Sequence, residues 1–145
     1  MNILIQKVID VITPEFSTKG SAGLDFYAPY NITILPWKTA IVPLGIKMQL
    51  PDNVFMVMKE KSGIATKKNL HIGACVIDSD YRGEIHAHFF NASDKEVLLP
   101  KGTKIIQGIF INRLSPKITE VNFIDTDTER GEGKFGSTGL TPCSK

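Results

Sequence analysis

With 145 residues, 42% of them apolar and 22% charged, the chain suits one soluble domain with a core of its own. A net charge of +2 is too small for general affinity to nucleic acid or an anionic membrane, so neither is expected as a partner. The two cysteines, Cys75 and Cys143, make neither a disulfide framework nor a zinc spacing, so a reducing compartment is the default.

The opening stretch, Met1 to Lys7, turns polar too soon for a signal peptide. No apolar run nears the roughly 18–20 residues that span a bilayer, and a cytoplasmic location is expected. Ser21 to Ala28 then holds one acid, Asp25, between apolar neighbours. It reads either as a local turn or cap, or as an acceptor for the waters of Mg2+, an ion that takes few protein ligands.

Short β-type runs follow one another, separated by Pro, Gly, Asn or Asp. Asn31 to Leu35 alternates and stops at Pro36; Trp37 after it reads as a packing residue in a turn. Ile41-Val42 leads through Pro43 and Gly45 into Ile46 to Leu50, which alternates again. Val54 to Met58 is apolar throughout, like a strand covered on both faces. Ile85 to Phe90, Val97 to Leu99, Ile105 to Ile111 and Ile118 to Phe123 complete the set. Such spacing indicates an all-β fold: a sandwich, jelly roll or barrel. The one expected helix is short, Ser62 to Lys68, opened by Ser62 as N-cap.

Several segments between these runs carry chemistry. Lys59 to Gly63 joins cations to a serine at a helix start, a modest anion site or a solvated loop. Gly73 to Gly83 reads as a hairpin, with Asp78 and Asp80 either as turn formers or with one carboxylate as general base for water. Tyr81 then offers an aromatic face on which a sugar lacking a 2′-hydroxyl fits flush. His86 and His88, two apart on a strand, share a face, and packing or a subunit interface suits them better than a metal. Lys101 to Lys104, followed by Gln107, reads as a turn first and a phosphate contact second.

The last ten-residue stretch, Arg130 to Gly139, packs four glycines, two cations, a serine, a threonine and Phe135 together. Glycine backbone N–H groups with hydroxyls and an arginine make an anion cradle, and the ring adds a stacking face. On composition alone it reads as a disordered Gly-rich end; in the setting of the rest of the chain it reads as a tail closing over a nucleotide. The expected organisation is therefore a β core over residues 1–129 and a flexible tail over 130–145.

These segments, in this order, resemble the five motifs of the trimeric all-β dUTPase family (deoxyuridine 5′-triphosphate nucleotidohydrolases). The family motifs run Ala-Gly-x-Asp, Pro-Arg-Ser-Gly, Gly-Val-Ile-Asp-x-Asp-Tyr-Arg-Gly, Gly-Asp-Arg-Ile-Ala-Gln and Arg-Gly-x-Gly-x-Phe-Gly-Ser-Thr-Gly. Their counterparts span residues 22 to 139. The resemblance implies a distorted jelly-roll or β-barrel domain with one short helix, assembled as a homotrimer with sites shared between subunits. It implies Mg-assisted hydrolysis of dUTP to dUMP and pyrophosphate at the α-phosphorus, keeping uracil out of DNA and supplying dUMP for thymidylate synthesis.

Residue by residue, it implies Asp78 as the base that activates water, and Tyr81 as the ring under the deoxyribose. Gly73, Val76 and Ile77 belong to the hairpin that reads uracil through backbone groups. Lys61, Ser62, Gly63 and Gln107 match residues at the phosphates, and Asp25 matches the acid on the Mg2+ waters. Arg130, Phe135, Gly136, Ser137 and Thr138 match the closing tail.

Departures from the motifs are Glu60-Lys61 for Pro-Arg, Cys75 for Gly, and Thr103, Lys104 and Ile106 for Asp, Arg and Ala. Lys61 keeps the charge but loses the planar fork, Glu60 adds a carboxylate beside the phosphates, and Cys75 narrows the pocket or points into the core. The rival enzyme reading is a dCTP deaminase of the same fold, and rivals from other classes are a nucleotide-sensing regulatory protein and a purely structural β trimer.

Overall fold

The structure, a computed structural model, describes residues 2–135 and 137. Gly136, Thr138 and Cys143 lie outside the described residues. The chain divides into two units, Met1–Leu114 and Ser115–Lys145, so the expected boundary at 129/130 falls inside the second.

In chain order the first unit holds β1 (Leu4–Lys7), β2 (Glu15–Phe16), β3 (Gly23–Tyr27), β4 (Ile32–Ile34), β5 (Thr39–Gln49) and β6 (Val54–Glu60). Helix α1 (Ser62–Lys68) follows, then β7 (Leu70–Ile72), β8 (Val76–Ile77), β9 (Glu84–Asn91), β10 (Val97–Leu99) and β11 (Lys104–Asn112). The strands form three antiparallel sheets, ordered β1-β5-β9-β7, β10-β4 and β2-β3-β11-β6-β8. This is the expected all-β jelly roll; among the described residues the sheets do not close into a barrel.

Alternation explains the core. On β9, Ile85, Ala87 and Phe89 are wholly buried while His86, His88 and Phe90 face the other way. On β6, Val54, Met56 and Met58 are buried and Phe55 and Val57 half-buried, so the continuous apolar run is fully covered on one face only. Gly45 interrupts β5 with φ 72, in the register shift between Pro43 and Lys47. A Cβ there would stand 2.6 Å from Ile9, and only glycine takes that turn without strain. Asn91, fully buried, is satisfied: its amide donates to the Ile34 and Lys95 carbonyls, and its oxygen accepts from Ser93.

Three expectations need correction. Helix α1 has the expected bounds, but its N-cap is Lys61, extended at φ −74 and ψ 139, with no side-chain cap. The Lys61 carbonyl already accepts from the Ile64 and Ala65 N–H groups, which makes Ser62 the first helical residue. Trp37 does not pack: it is 61% exposed at φ 58 in the turn before β5. Ile118 to Phe123 forms no strand, and Ile118 and Phe123 stand 86% and 89% exposed. An alternating segment becomes a strand only when an edge supplies hydrogen-bond partners, and no described strand pairs with it. No described helix is long and apolar enough to cross a membrane.

Candidate active site

The sequence-predicted residues of the first unit other than Asp25 and Gly73 line two cavities. One, of about 270 Å³, is lined by Lys61, Ser62, Gly63, Ile64, Lys104 and Gln107. Its charge comes from the two lysines, and both are held by one carboxylate. Asp25, on β3 between β2 and β11, is 1% exposed. Its Oδ1 accepts a short hydrogen bond from Lys61 Nζ, while Oδ2 accepts from Ser17 Oγ at 2.7 Å and lies 3.2 Å from Lys104 Nζ. Burial opposes ionisation of Asp25, but the hydrogen bonds from Lys61, Ser17 and Lys104 outweigh it and hold the carboxyl below its ordinary range.

A second acid supports the same lysine. Glu15 lies 3.6 Å from Lys104 and accepts from Tyr27 OH at 2.6 Å; the Tyr27 bond and then the lysine lower its pKa. Lys104, raised chiefly by its bond to Asp25, also sits 5.6 Å above the Tyr27 ring. Gln107 donates to the Glu60 carbonyl at 3.1 Å, which fixes its amide at the cleft. The Glu60 carboxylate itself does not line the cleft, because strand alternation puts it on the Met56–Met58 face. There its own backbone N–H lowers its pKa most, with Lys59 Nζ at 3.4 Å helping. The expected carboxylate beside the phosphate position is thus absent from this cavity.

The other cavity, about 200 Å³, is the hairpin. Ala74 to Asp78, Tyr81, Glu84 and His86 line it. The turn closes with Tyr81 N–H on the Asp78 carbonyl at 3.2 Å, and Arg82 Nη1 ties the Ser79 and Tyr81 carbonyls together. Tyr81 OH donates to the Glu84 carbonyl at 2.9 Å, which fixes the ring while leaving it 41% exposed. Asp78 is exposed beside it. Gly73 supports the loop from beneath: its N–H bonds the His88 carbonyl at 3.0 Å, and a Cβ would sit 2.2 Å from His88 Nδ1. Cys75 both lines the cavity and packs on the core, and it is a free thiol.

Asp78 and Lys61 lie toward opposite ends of β6. Ile77 pairs with Met56 and the Cys75 carbonyl bonds Met58 N–H, so Asp78 runs toward Phe55, whereas Lys61 follows Glu60. At ~3.3 Å per residue that is roughly 20 Å. One chain therefore does not bring Asp78 to the lysine cleft.

In the second unit, Arg130 Nε donates to the Gly133 carbonyl at 3.2 Å, Ser137 N–H bonds the Lys134 carbonyl, and Phe135 is fully exposed. Gly131 adopts φ 49 in the turn between them. Sequence reading missed Glu84 and His86 as lining residues, although the β9 alternation puts His86 on the face that carries the hairpin loop. It also missed Ser17 and Glu15, which no local signal ties to Asp25.

The fit to Mg2+ is decided by donor chemistry. Among the described residues no group of three His, Cys, Asp or Glu gathers to hold a metal. Both Asp25 oxygens carry protein donors, two of them ammonium groups. Asp25 as found does not fit a metal's water shell, while the cleft around it fits an anion.

Comparison with known proteins gives one consistent result. The dUTPase family model matches residues 10–139. The deoxyuridine 5′-triphosphate nucleotidohydrolase of Hydrogenobaculum sp. (strain Y04AAS1) is 34% identical over 144 residues, covering 97% of this chain and 99% of the relative. Among solved structures, a point mutant of the Staphylococcus bacteriophage 80alpha dUTPase with dUpNHpp superposes with TM-score 0.89 at 20% identity, covering 96% of this chain and 99% of that one. A phage phi11 dUTPase mutant from S. aureus, described with a structural Mg(II) ion, gives TM-score 0.81 at 16% identity over 86% of this chain and 99% of its own.

Proposed function

The chain belongs to the dUTPase family, and from that premise we propose that it hydrolyses dUTP to dUMP and pyrophosphate. The observation that carries the reading is the single cavity shared by Asp78, Tyr81 and the backbone of Ala74 to Ile77. It puts a solvent-open carboxylate beside an aromatic face fixed through its own hydroxyl.

In the proposed reaction uracil enters the hairpin cavity and the deoxyribose lies on Tyr81. Asp78 takes a proton from water, whose oxygen bonds the α-phosphorus. The bond from that phosphorus to the bridging oxygen breaks, pyrophosphate leaves, and Asp78 returns its proton to solvent. Negative charge on the leaving phosphates is met by Lys61, Lys104, Ser62, Gly63 and Gln107. Because that cleft and Asp78 lie far apart on one chain, the cleft serving a given Asp78 belongs to another copy, which supports the homotrimer reading. Arg130, Phe135, Gly136, Ser137 and Thr138 form the tail that closes over phosphates and base. Mg2+ enters the proposal only as an ion that the nucleotide's phosphates would carry. A cytoplasmic location belongs to the same proposal.

The test is pyrophosphate release from dUTP with Mg2+, with dCTP, dTTP and UTP alongside. Release from dUTP alone is expected. Ammonia release from dCTP, or no release from any of the four, overturns the reading.

A further inference from the structure

We infer that the face around Trp37 is a docking site for an acidic segment of a partner protein, one that carries an aliphatic or aromatic anchor among its carboxylates. None of the residues that build it lines either cavity of the candidate active site, so the inference stands independently of the proposed reaction.

Trp37 is the chain's one tryptophan, and it stands exposed. Its φ of 58 is one that a bulky side chain rarely adopts, and the turn is held there by Trp37 N–H on the Asn91 carbonyl at 3.0 Å. Nδ2 of the same asparagine donates to the Leu35 carbonyl at 3.2 Å and the Lys95 carbonyl at 2.8 Å. Buried Asn91 thus sets the indole, Leu35 and Lys95 around one fixed point. Alternation on β4 and its antiparallel partner β10 turns Thr33 and Leu98 outward, and Leu35, also exposed, continues that face. One outward surface therefore presents two leucines and an indole, and tryptophan is among the residue types that carry most binding energy at protein interfaces.

The charge beside that surface selects the partner. A cleft of about 440 Å³ runs between the end of α1 and the loop from β9 to β10, and Lys67, Lys68, Asp94, Lys95, Glu96 and Leu98 line it. Asn69, left-handed at φ 50, ends the helix, and its carbonyl accepts the Ala92 N–H at 2.9 Å, which clamps the loop against the last helical turn. Lys67 and Lys68 are thereby brought to the cleft that Lys95 lines. Among the described residues none of these three lysines, nor Lys38 next to Trp37, forms an ion pair. Lys68 Nζ reaches only the Leu98 carbonyl, at 3.4 Å. Four lysines against two carboxylates leave a surplus of two positive charges, as much as the whole chain carries. Like charges gathered at a cleft are relieved by an anionic ligand, and the adjoining indole and leucines call for an apolar group on that same ligand. A concave cleft between two elements fits a protruding peptide better than the flat face of a bilayer.

The experiment reads the emission of Trp37 in the full chain. The probes are nonapeptides with one leucine or phenylalanine set among aspartates and glutamates, and counterparts with lysine in place of each acid. The acidic peptides should shift the emission to shorter wavelength and saturate, and the lysine counterparts should not. Anisotropy of the same peptides carrying fluorescein then gives Kd for the variants. Trp37→Ala should weaken binding at least about thirtyfold and Lys95→Glu about tenfold, with the unfolding midpoint of Lys95→Glu unchanged. No shift with any acidic peptide, or equal affinity in Lys95→Glu, overturns the docking site. So does a shift produced instead by phosphatidylcholine–phosphatidylserine vesicles or by raising the concentration of the chain itself, which would assign the face to a membrane or to a second copy.

Discussion

The two cavities of the β unit are assembled from opposite kinds of contact. The hairpin cavity is nearly contiguous in sequence, lined by residues 74 to 86, and its ties run over short separations. The lysine cleft is assembled from β3, the start of α1 and β11, and centres on a carboxylate 36 residues from one lysine. Local construction leaves the hairpin open and its acid exposed; long-range construction buries Asp25 to 1%. The first suits an acid that must exchange a proton with water, the second an acid that must not move.

The sharpest way to test that division is to neutralise each acid in turn. Asp78→Asn leaves an exposed turn of the same shape without a base. Turnover should fall by about 10²–10⁴ while dUMP still binds and the unfolding midpoint holds. Near-normal turnover would remove Asp78 from the role of base.

Asp25→Asn should show the reverse balance, with stability as the main readout. It leaves two ammonium groups beside a neutral amide, and urea unfolding should report a loss of about 3 kcal/mol. The pH dependence has a definite sign. The folded carboxyl is depressed below its ordinary 3.8, so its contribution is complete above that value and disappears as pH falls through the lower folded value. Wild type should therefore lose stability on acidification below about pH 4 more steeply than Asp25→Asn. Parallel acid profiles would show that Asp25 does not anchor the cleft.

The contrast also explains what the sequence made legible. Asp78, Tyr81 and their hairpin lie within a few positions of one another, so a local pattern carried their geometry, and the resemblance supplied the roles proposed for them. The strand alternation of β9 and the short helix α1 were readable for the same reason. The cage of Asp25 was not, because Ser17, Lys61 and Lys104 meet it only through the pairing of β2, β3 and β11. Ser62 looked like a cap because a serine opens the helical pattern, yet the Lys61 carbonyl takes the first helical N–H groups. Ile118 to Phe123 has the period of a strand, but period states which face is apolar and not whether an edge is available.

A smaller change probes how tightly the hairpin loop is set against β9. Gly73→Ala would drive a methyl group to within 2.2 Å of His88 Nδ1 unless the loop shifts. The expected cost is about 1–3 kcal/mol in unfolding free energy, with KM for dUTP raised and the cleft untouched. Unchanged KM would mean that the loop position is not set by this contact.

The smallest expected effect belongs to the cleft's own chemistry. Lys61 is a point charge that divides its attention between Asp25 and any phosphate entering the cavity. An arginine at this position could hold Asp25 with one edge of its fork and a phosphate with the other, so the anchor and the ligand would no longer compete for one ammonium. Lys61→Arg should accordingly lower KM for dUTP by about threefold, a gain of under 1 kcal/mol, while leaving the dUTP-to-dCTP ratio alone if, as proposed, the base binds in the other cavity. A ratio that moved with Lys61 would join what the structure keeps apart, and a KM unchanged or raised would show that the lysine already meets the phosphates as well as a fork can.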